Sequence, residues 1–246
     1  MGDQIDRKPE HNQARCHHCH HHASGTDGDS CISLVPIFNH LEQAQMDEIM
    51  SLIRSLSFKK GESLYRPGDP ANSLYIVSEG RIKIYRLAES GKEQLLRVLR
   101  PGDFTGELAL FSEKVHESYA EAIEAASVCT IARSELNDLL LKYPSISLKV
   151  LSEFSHRLEQ SEKQTTRFAT ERVETRIALF LIECMDNANQ STEIELPMNK
   201  KDMASYLGTT PESISRKLAE LEDAGLIQQV SNKKIRILDL DGLLSV

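Results

Sequence analysis

Cysteine and histidine are the residues with the most reactive chemistry in this 246-residue chain, and they are concentrated near its N-terminus. Cys16 and Cys19 stand in a C-x-x-C spacing inside CHHCHHH, a stretch that offers both thiolates and imidazoles, the ligand types zinc prefers. Cys31 follows after eleven further residues, Cys129 lies in ASVCTIA, which reads as an apolar strand, and Cys184 falls on an amphipathic segment where it reads as core. The N-terminus is polar and holds no apolar leader, so a cytoplasmic chain with reduced thiols is expected, and five cysteines there do not form a disulfide framework. Metal binding, thiol redox chemistry and plain burial remain as roles for Cys16, Cys19, Cys31 and Cys129.

A second group of residues suits nucleic acid. In NKKDMASYLGTTPESISRKLAELEDAGLI, Asn199 is a helix cap, and Met203, Ala204 and Leu207 form the inner face of the helix it starts. Gly208 allows a tight turn, Thr210 caps a second helix, and Pro211 takes its first position. Ile214, Leu218 and Leu221 recur at i, i+4 and i+7 and define a buried face, which leaves Glu212, Ser215, Arg216 and Ala219 on the opposite one. Arginine reads guanine O6 and N7, a carboxylate accepts from a cytosine amine, and serine reaches several base edges. The following IQQV-SNKK-IRIL reads as a short hairpin, the wing of a winged helix-turn-helix.

The composition supports two modest cores: 40% of residues are hydrophobic and 27% charged. The net charge is −8, yet between Asn199 and Leu238 seven basic residues face five acidic ones, a local balance of +2. An acidic body with a locally basic end fits a sequence-specific DNA binder whose phosphate contacts come from a few placed cations. No apolar run is long enough to span a membrane. Residues 1–31 contain almost no large apolar side chain and read as a flexible Cys/His-rich segment. Residues 32–143 open with an apolar helical passage and continue as short β-rich stretches punctuated by Gly61, Gly68, Gly80, Gly91, Gly102 and Gly106, the pattern of an antiparallel roll. At 144–171 a long helix is expected with Ser145 as its cap, and Leu151, Phe154, Leu158, Ser161, Thr165 and Phe168 alternate at spacings of three and four like a dimer seam. Residues 172–246 complete the DNA-reading domain. The fold class is α+β: a β-roll, a dimerisation helix and a C-terminal winged helix-turn-helix. An enzymatic reading, with cysteine nucleophiles or a catalytic metal on the N-terminal segment, lacks the preorganised pocket that catalysis needs.

KKGESLYRPGDPANSLYIVSEGRIKIYRLAESGKEQLLRVLRPGDFTGELALF resembles the cyclic-nucleotide-binding-like β-roll of CRP/FNR transcription regulators, and LGTTPESISRKLAELEDAGLI resembles their DNA-reading helices. The resemblance covers about residues 32 to 246. It implies a homodimer that binds double-stranded DNA and works with RNA polymerase. PESISR is similar to the Glu-x-x-Ser-Arg pattern of the oxygen-regulator branch, which implies that Glu212, Ser215 and Arg216 read a TTGA-type half-site. Pro211 departs from the residues common at its position. GELALF resembles the phosphate cassette of the cyclic-AMP branch, but Glu117-Ser118 stands where that branch has Arg-Ser. A carboxylate there repels a phosphate, so Gly106 and Glu107 read as turn residues of the roll. The oxygen-regulator branch implies instead an oxygen-labile [4Fe-4S] cluster on Cys16, Cys19, Cys31 and Cys129, a Cys₄ set of the kind such clusters use. The Cys19–Cys31 interval is longer than in that branch, and a longer loop costs little entropy to close. FNR-like proteins of lactic acid bacteria, which the chain also resembles, imply a different sensor, a reversible disulfide between Cys31 and Cys129. Zinc on the Cys/His run is the third alternative.

Overall fold

The computed structural model describes residues 14–15, 32–107, 115–187 and 191–246. Cys16, Cys19 and Cys31 lie outside the described residues. The described residues divide into two compact units, one made of those up to Lys83 and those in Leu99–Glu153, the other of those in Ile84–Val98 and Phe154–Val246.

The first unit is built on an antiparallel sheet. Its strands are β1 (Ala14–Arg15), β2 (Arg54–Phe58), β4 (Ser73–Glu79), β7 (Phe104–Thr105) and β9 (Ala126–Ala132), in the order β1-β2-β9-β4-β7. Strands β3 (Ser63–Tyr65) and β8 (Tyr119–Ala122) pair antiparallel in a further sheet of this unit, while β5 (Ile82–Leu87) and β6 (Glu93–Leu99) fall mostly in the second unit. The run ASVCTIA becomes the central strand β9, between β2 and β4, and Val128, Cys129 and Ile131 are all essentially inaccessible. A strand covered on both faces reads as a continuous apolar run rather than an alternating one, which explains its composition. Cys129 pairs with Ser55 on β2 and with Ile76 on β4. The passage before the sheet turns through residues 32–41 and then forms α1 (Gln43–Leu52), and Ile32, Ile37, Phe38 and Ile49 from it join Leu74, Ile76, Phe104 and Ile131 in the core. Helix α2 (Arg133–Lys142) adds Leu136 and Leu139.

Helix α3 runs from Pro144 to Thr170. Pro144 itself is its first residue, where a fixed φ costs nothing and the missing N–H is no loss. Ser145 is therefore not the cap expected from sequence, and its hydroxyl bonds His40 Nε2 at 2.9 Å. Ile146 and Val150 bury one face of the helix start, whereas Leu148, Leu151 and Leu158 are 71%, 57% and 61% exposed, leaving an apolar stripe facing outward.

The second unit contains α4 (Val173–Asn187), β10 (Glu193–Glu195), α5 (Lys200–Tyr206), α6 (Pro211–Asp223), β11 (Ile227–Gln229), β12 (Lys234–Ile237) and α7 (Leu240–Leu244). Its core gathers Ile177, Leu181, Met203, Ile214, Leu218, Ile227 and Leu243, with Cys184 among the buried residues. Residues 84–98 are held in this unit through Ser205 on α5. Its hydroxyl accepts from Leu95 N and donates to Glu93 O, both at 2.7 Å, and its carbonyl accepts from Gln94 Nε2 at 2.8 Å. Among the described residues no helix is long and apolar enough to cross a membrane.

Candidate nucleic-acid interface and sensor residues

The DNA-reading end forms from local rules. The Asn199 side chain accepts from Asp202 N at 2.9 Å and starts α5. Gly208, at φ +66°, makes the turn that a β-carbon would strain. The Thr210 hydroxyl accepts from Ser213 N at 3.3 Å and Pro211 opens α6. Ile214, Leu218 and Leu221 are buried as their spacing requires, so Glu212, Ser215, Arg216 and Ala219 are all exposed on the other face. Glu212, Ser215 and Arg216 stand at i, i+3 and i+4 in the N-terminal half of the helix, one continuous surface. Hydrogen bonds from its own backbone and from Thr210 hold the Glu212 carboxyl below its ordinary range, so it stays an ionised acceptor. Arg216 Nε lies 3.7 Å from Glu220 on the next turn, a loose, exposed pair that leaves its guanidinium available. Lys217, on the flank, is tied down by Glu174 and Glu220.

The expected hairpin is present as β11 and β12, paired Ile227↔Ile237 to Gln229↔Ile235. The Ser231 hydroxyl accepts from Lys233 N and Lys234 N in its turn. Sequence reasoning missed the third strand, β10, which pairs Glu193↔Arg236 through Glu195↔Lys234, with Arg236 Nη2 2.8 Å from Glu193. Three residues carry too short a pattern to be read as a strand, although the polar–apolar–polar alternation of Glu193, Ile194 and Glu195 was the available signal, and the structure buries Ile194 between exposed neighbours.

In the roll, Gly106 is buried at φ +84°, and a β-carbon there would sit 2.3 Å from Ser73 O. Beside it Tyr65 and His116 stack face to face, centroids 3.6 Å apart, and the Tyr65 hydroxyl bonds Thr105 Oγ1 at 2.8 Å. Burial pushes His116 below its ordinary value against the opposing pull of Asp69 and Glu107. Glu117 is exposed. Of the four cysteines singled out as sensor residues, Cys129 is the one the structure describes, and it is 1% exposed. Among the described residues no three His, Cys, Asp or Glu side chains converge as a metal site.

Residues 55–143 match the model of the cyclic nucleotide-binding domain, and residues 175–246 that of the Crp-like helix-turn-helix domain. The probable transcriptional regulator flp of Lacticaseibacillus casei is 38% identical over 87% of this chain and 96% of its own length. The chain belongs to the CRP/FNR family. It is accordingly a DNA-binding transcription regulator and not an enzyme. The anaerobic regulatory protein of Haemophilus influenzae is 32% identical over 89% of this chain and 86% of its own. Among solved structures, FixK2 of Bradyrhizobium japonicum superposes with a TM-score of 0.70 at 28% identity, covering 78% of this chain and 95% of that one. The α+β reading of the sequence thus agrees with the folds of other CRP/FNR regulators. In this CRP/FNR regulator the expected base readers share the one face of α6 that packing leaves open.

Proposed function

We propose that the protein is a redox- or oxygen-responsive regulator that binds TTGA-type palindromes as a homodimer and senses through a [4Fe-4S] cluster on Cys16, Cys19, Cys31 and Cys129. The domain division is that of the sequence: 1–31 carries ligands, 32–143 senses, 144–171 dimerises and 172–246 reads DNA. Base reading falls to Glu212, Ser215 and Arg216, supported by their shared exposed face on a capped helix of the right length to enter a major groove. Dimerisation is supported by the outward stripe of Leu148, Leu151 and Leu158 on α3, an apolar surface that a second copy would cover. A dimer presents two such helices to a two-fold symmetric site and a surface to RNA polymerase.

The observation that carries the sensor reading is the register of β1. Arg15, which precedes Cys16 in the chain, pairs with Arg54, while Ser55 pairs with Ala14 on one side and Cys129 on the other. Two strand spacings, about 10 Å, therefore separate the backbone just before Cys16 from that of Cys129, a span that four thiolates around one cluster can close. Four thiolates are the donor set that such a cluster takes. When bound, a cluster would supply an oxygen-labile link between the N-terminal segment and the sheet.

The disulfide between Cys31 and Cys129 is the second reading, favoured by the 38% identity to the flp regulator of a lactic acid bacterium. Both readings are separated by one experiment. Protein purified without oxygen is expected to show Fe-S absorbance and to lose it in Cys16→Ser and Cys19→Ser variants along with redox-dependent DNA binding. Colourless protein in which both variants keep the full redox response, while Cys31→Ser and Cys129→Ser lose it, would establish the disulfide switch instead.

A further inference from the structure

The turn between α5 and α6 is held from outside the helix-turn-helix. A helix ends with carbonyls that have no donor in the helix itself, and α5 ends at Tyr206 and Leu207, immediately before Gly208. Both carbonyls are taken by side chains. Gln164 of α3 donates from Nε2 to Tyr206 O at 3.2 Å, and Arg176 of α4 donates from Nη1 to Leu207 O at 2.6 Å. The Arg176 guanidinium lies over the Phe168 ring of α3, 5.5 Å from its centroid, and its Nε is buried without a hydrogen-bond partner. A β-carbon on Gly208 would lie 3.3 Å from Arg176 Nη1 and 3.6 Å from Phe168 Cε1, so turn, guanidinium and ring are already in close packing.

A buried donor with no partner is a cost, and a lysine reaching the same carbonyl would avoid it. What the planar guanidinium adds is a second fixed surface: it hydrogen-bonds along its edge and stacks through its face. One side chain thereby connects the end of the long helix to the backbone that launches the recognition helix. We propose that Arg176, stacked on Phe168, is a positioning residue for DNA reading, setting the orientation of α6 relative to α3 without touching DNA. Base readout needs hydrogen bonds to base edges and so depends on that orientation, whereas non-specific attraction to phosphates does not.

The test uses the full-length protein and a duplex that it selects itself from a random pool, so that the outcome does not depend on the TTGA assignment. Arg176→Ala is expected to weaken binding to the selected duplex by about tenfold, a partial misalignment of the base contacts in both half-sites rather than the loss of any one of them, while affinity for a scrambled duplex changes by less than about twofold. Arg176→Lys should recover part of the loss through the carbonyl bond alone. Phe168→Leu, an apolar replacement at a position 38% exposed, should weaken specific binding in the same sense while circular dichroism shows the fold retained. It should add little when combined with Arg176→Ala, because both remove one interaction. Specific affinity unchanged in Phe168→Leu, equal losses on selected and scrambled duplexes, or additive effects of the two substitutions would each overturn the proposal.

Discussion

Arg216→Ala should separate DNA reading from folding: the structure bounds the folding cost, and the proposed guanine contact sets the loss in binding. The Arg216 side chain is 69% exposed, and its ion pair with Glu220, at 3.7 Å, is a surface i,i+4 contact worth about 0.3–0.5 kcal/mol. Alanine is the better helix former and returns part of that loss, so the melting transition of the DNA-reading unit should move by no more than about 0.5 kcal/mol in free energy. A bidentate guanine contact is worth about 1–3 kcal/mol, and a homodimer makes it once per half-site, so the operator complex should lose about 2–6 kcal/mol. That corresponds to a weakening between about thirty-fold and more than ten-thousand-fold. Fluorescence anisotropy with a TTGA palindrome and a scrambled duplex, at one fixed salt concentration, reads the difference directly. The scrambled duplex should show only the small loss expected from one fewer cation near phosphates. A less than fivefold change on the palindrome, or the same loss on both duplexes, would remove Arg216 from the base-reading set.

The roll should respond to two further changes. Gly106→Ala forces a β-carbon against Ser73 O at 2.3 Å and adds about 1–2 kcal/mol for the left-handed backbone, so the first unit should melt several degrees lower while the helix-turn-helix does not; calorimetry showing an unshifted roll transition would contradict the packing. Stability should also depend on pH through His116. Burial depresses its folded value below the ordinary 6.5, so the folded state binds fewer protons than the unfolded one, and stability present above about 6.5 is lost as pH falls below it. Urea unfolding at pH 7.5 and 5.5 should show that loss, and a His116→Phe variant retaining the same pH slope would show that another group carries it.

The helix-turn-helix was legible in the sequence because every signal that builds it is local. Asn199, Gly208, Thr210 and Pro211 set the caps and turn, and the i, i+4, i+7 spacing of Ile214, Leu218 and Leu221 decided which residues remain exposed. The same locality made the apolar run around Cys129 readable as a strand, though not as the central one. That needed partners from residues about 50 to 75 positions away, Ile76 and Ser55, which no periodicity within the run can specify. The start of α3 differs from the expectation for a related reason: Pro144 and Ser145 are both acceptable at a helix start, and because the helix begins at Pro144 the Ser145 hydroxyl lies inside it and bonds His40, distant in sequence. Sequence therefore determined which residues face outward on the recognition helix, since helical geometry alone relates them. Only the tertiary structure decided what fixes that helix in space, because the carbonyls ending α5 are satisfied by Gln164 and Arg176, donors that lie 42 and 31 residues away along the chain and meet the turn only once the core has formed.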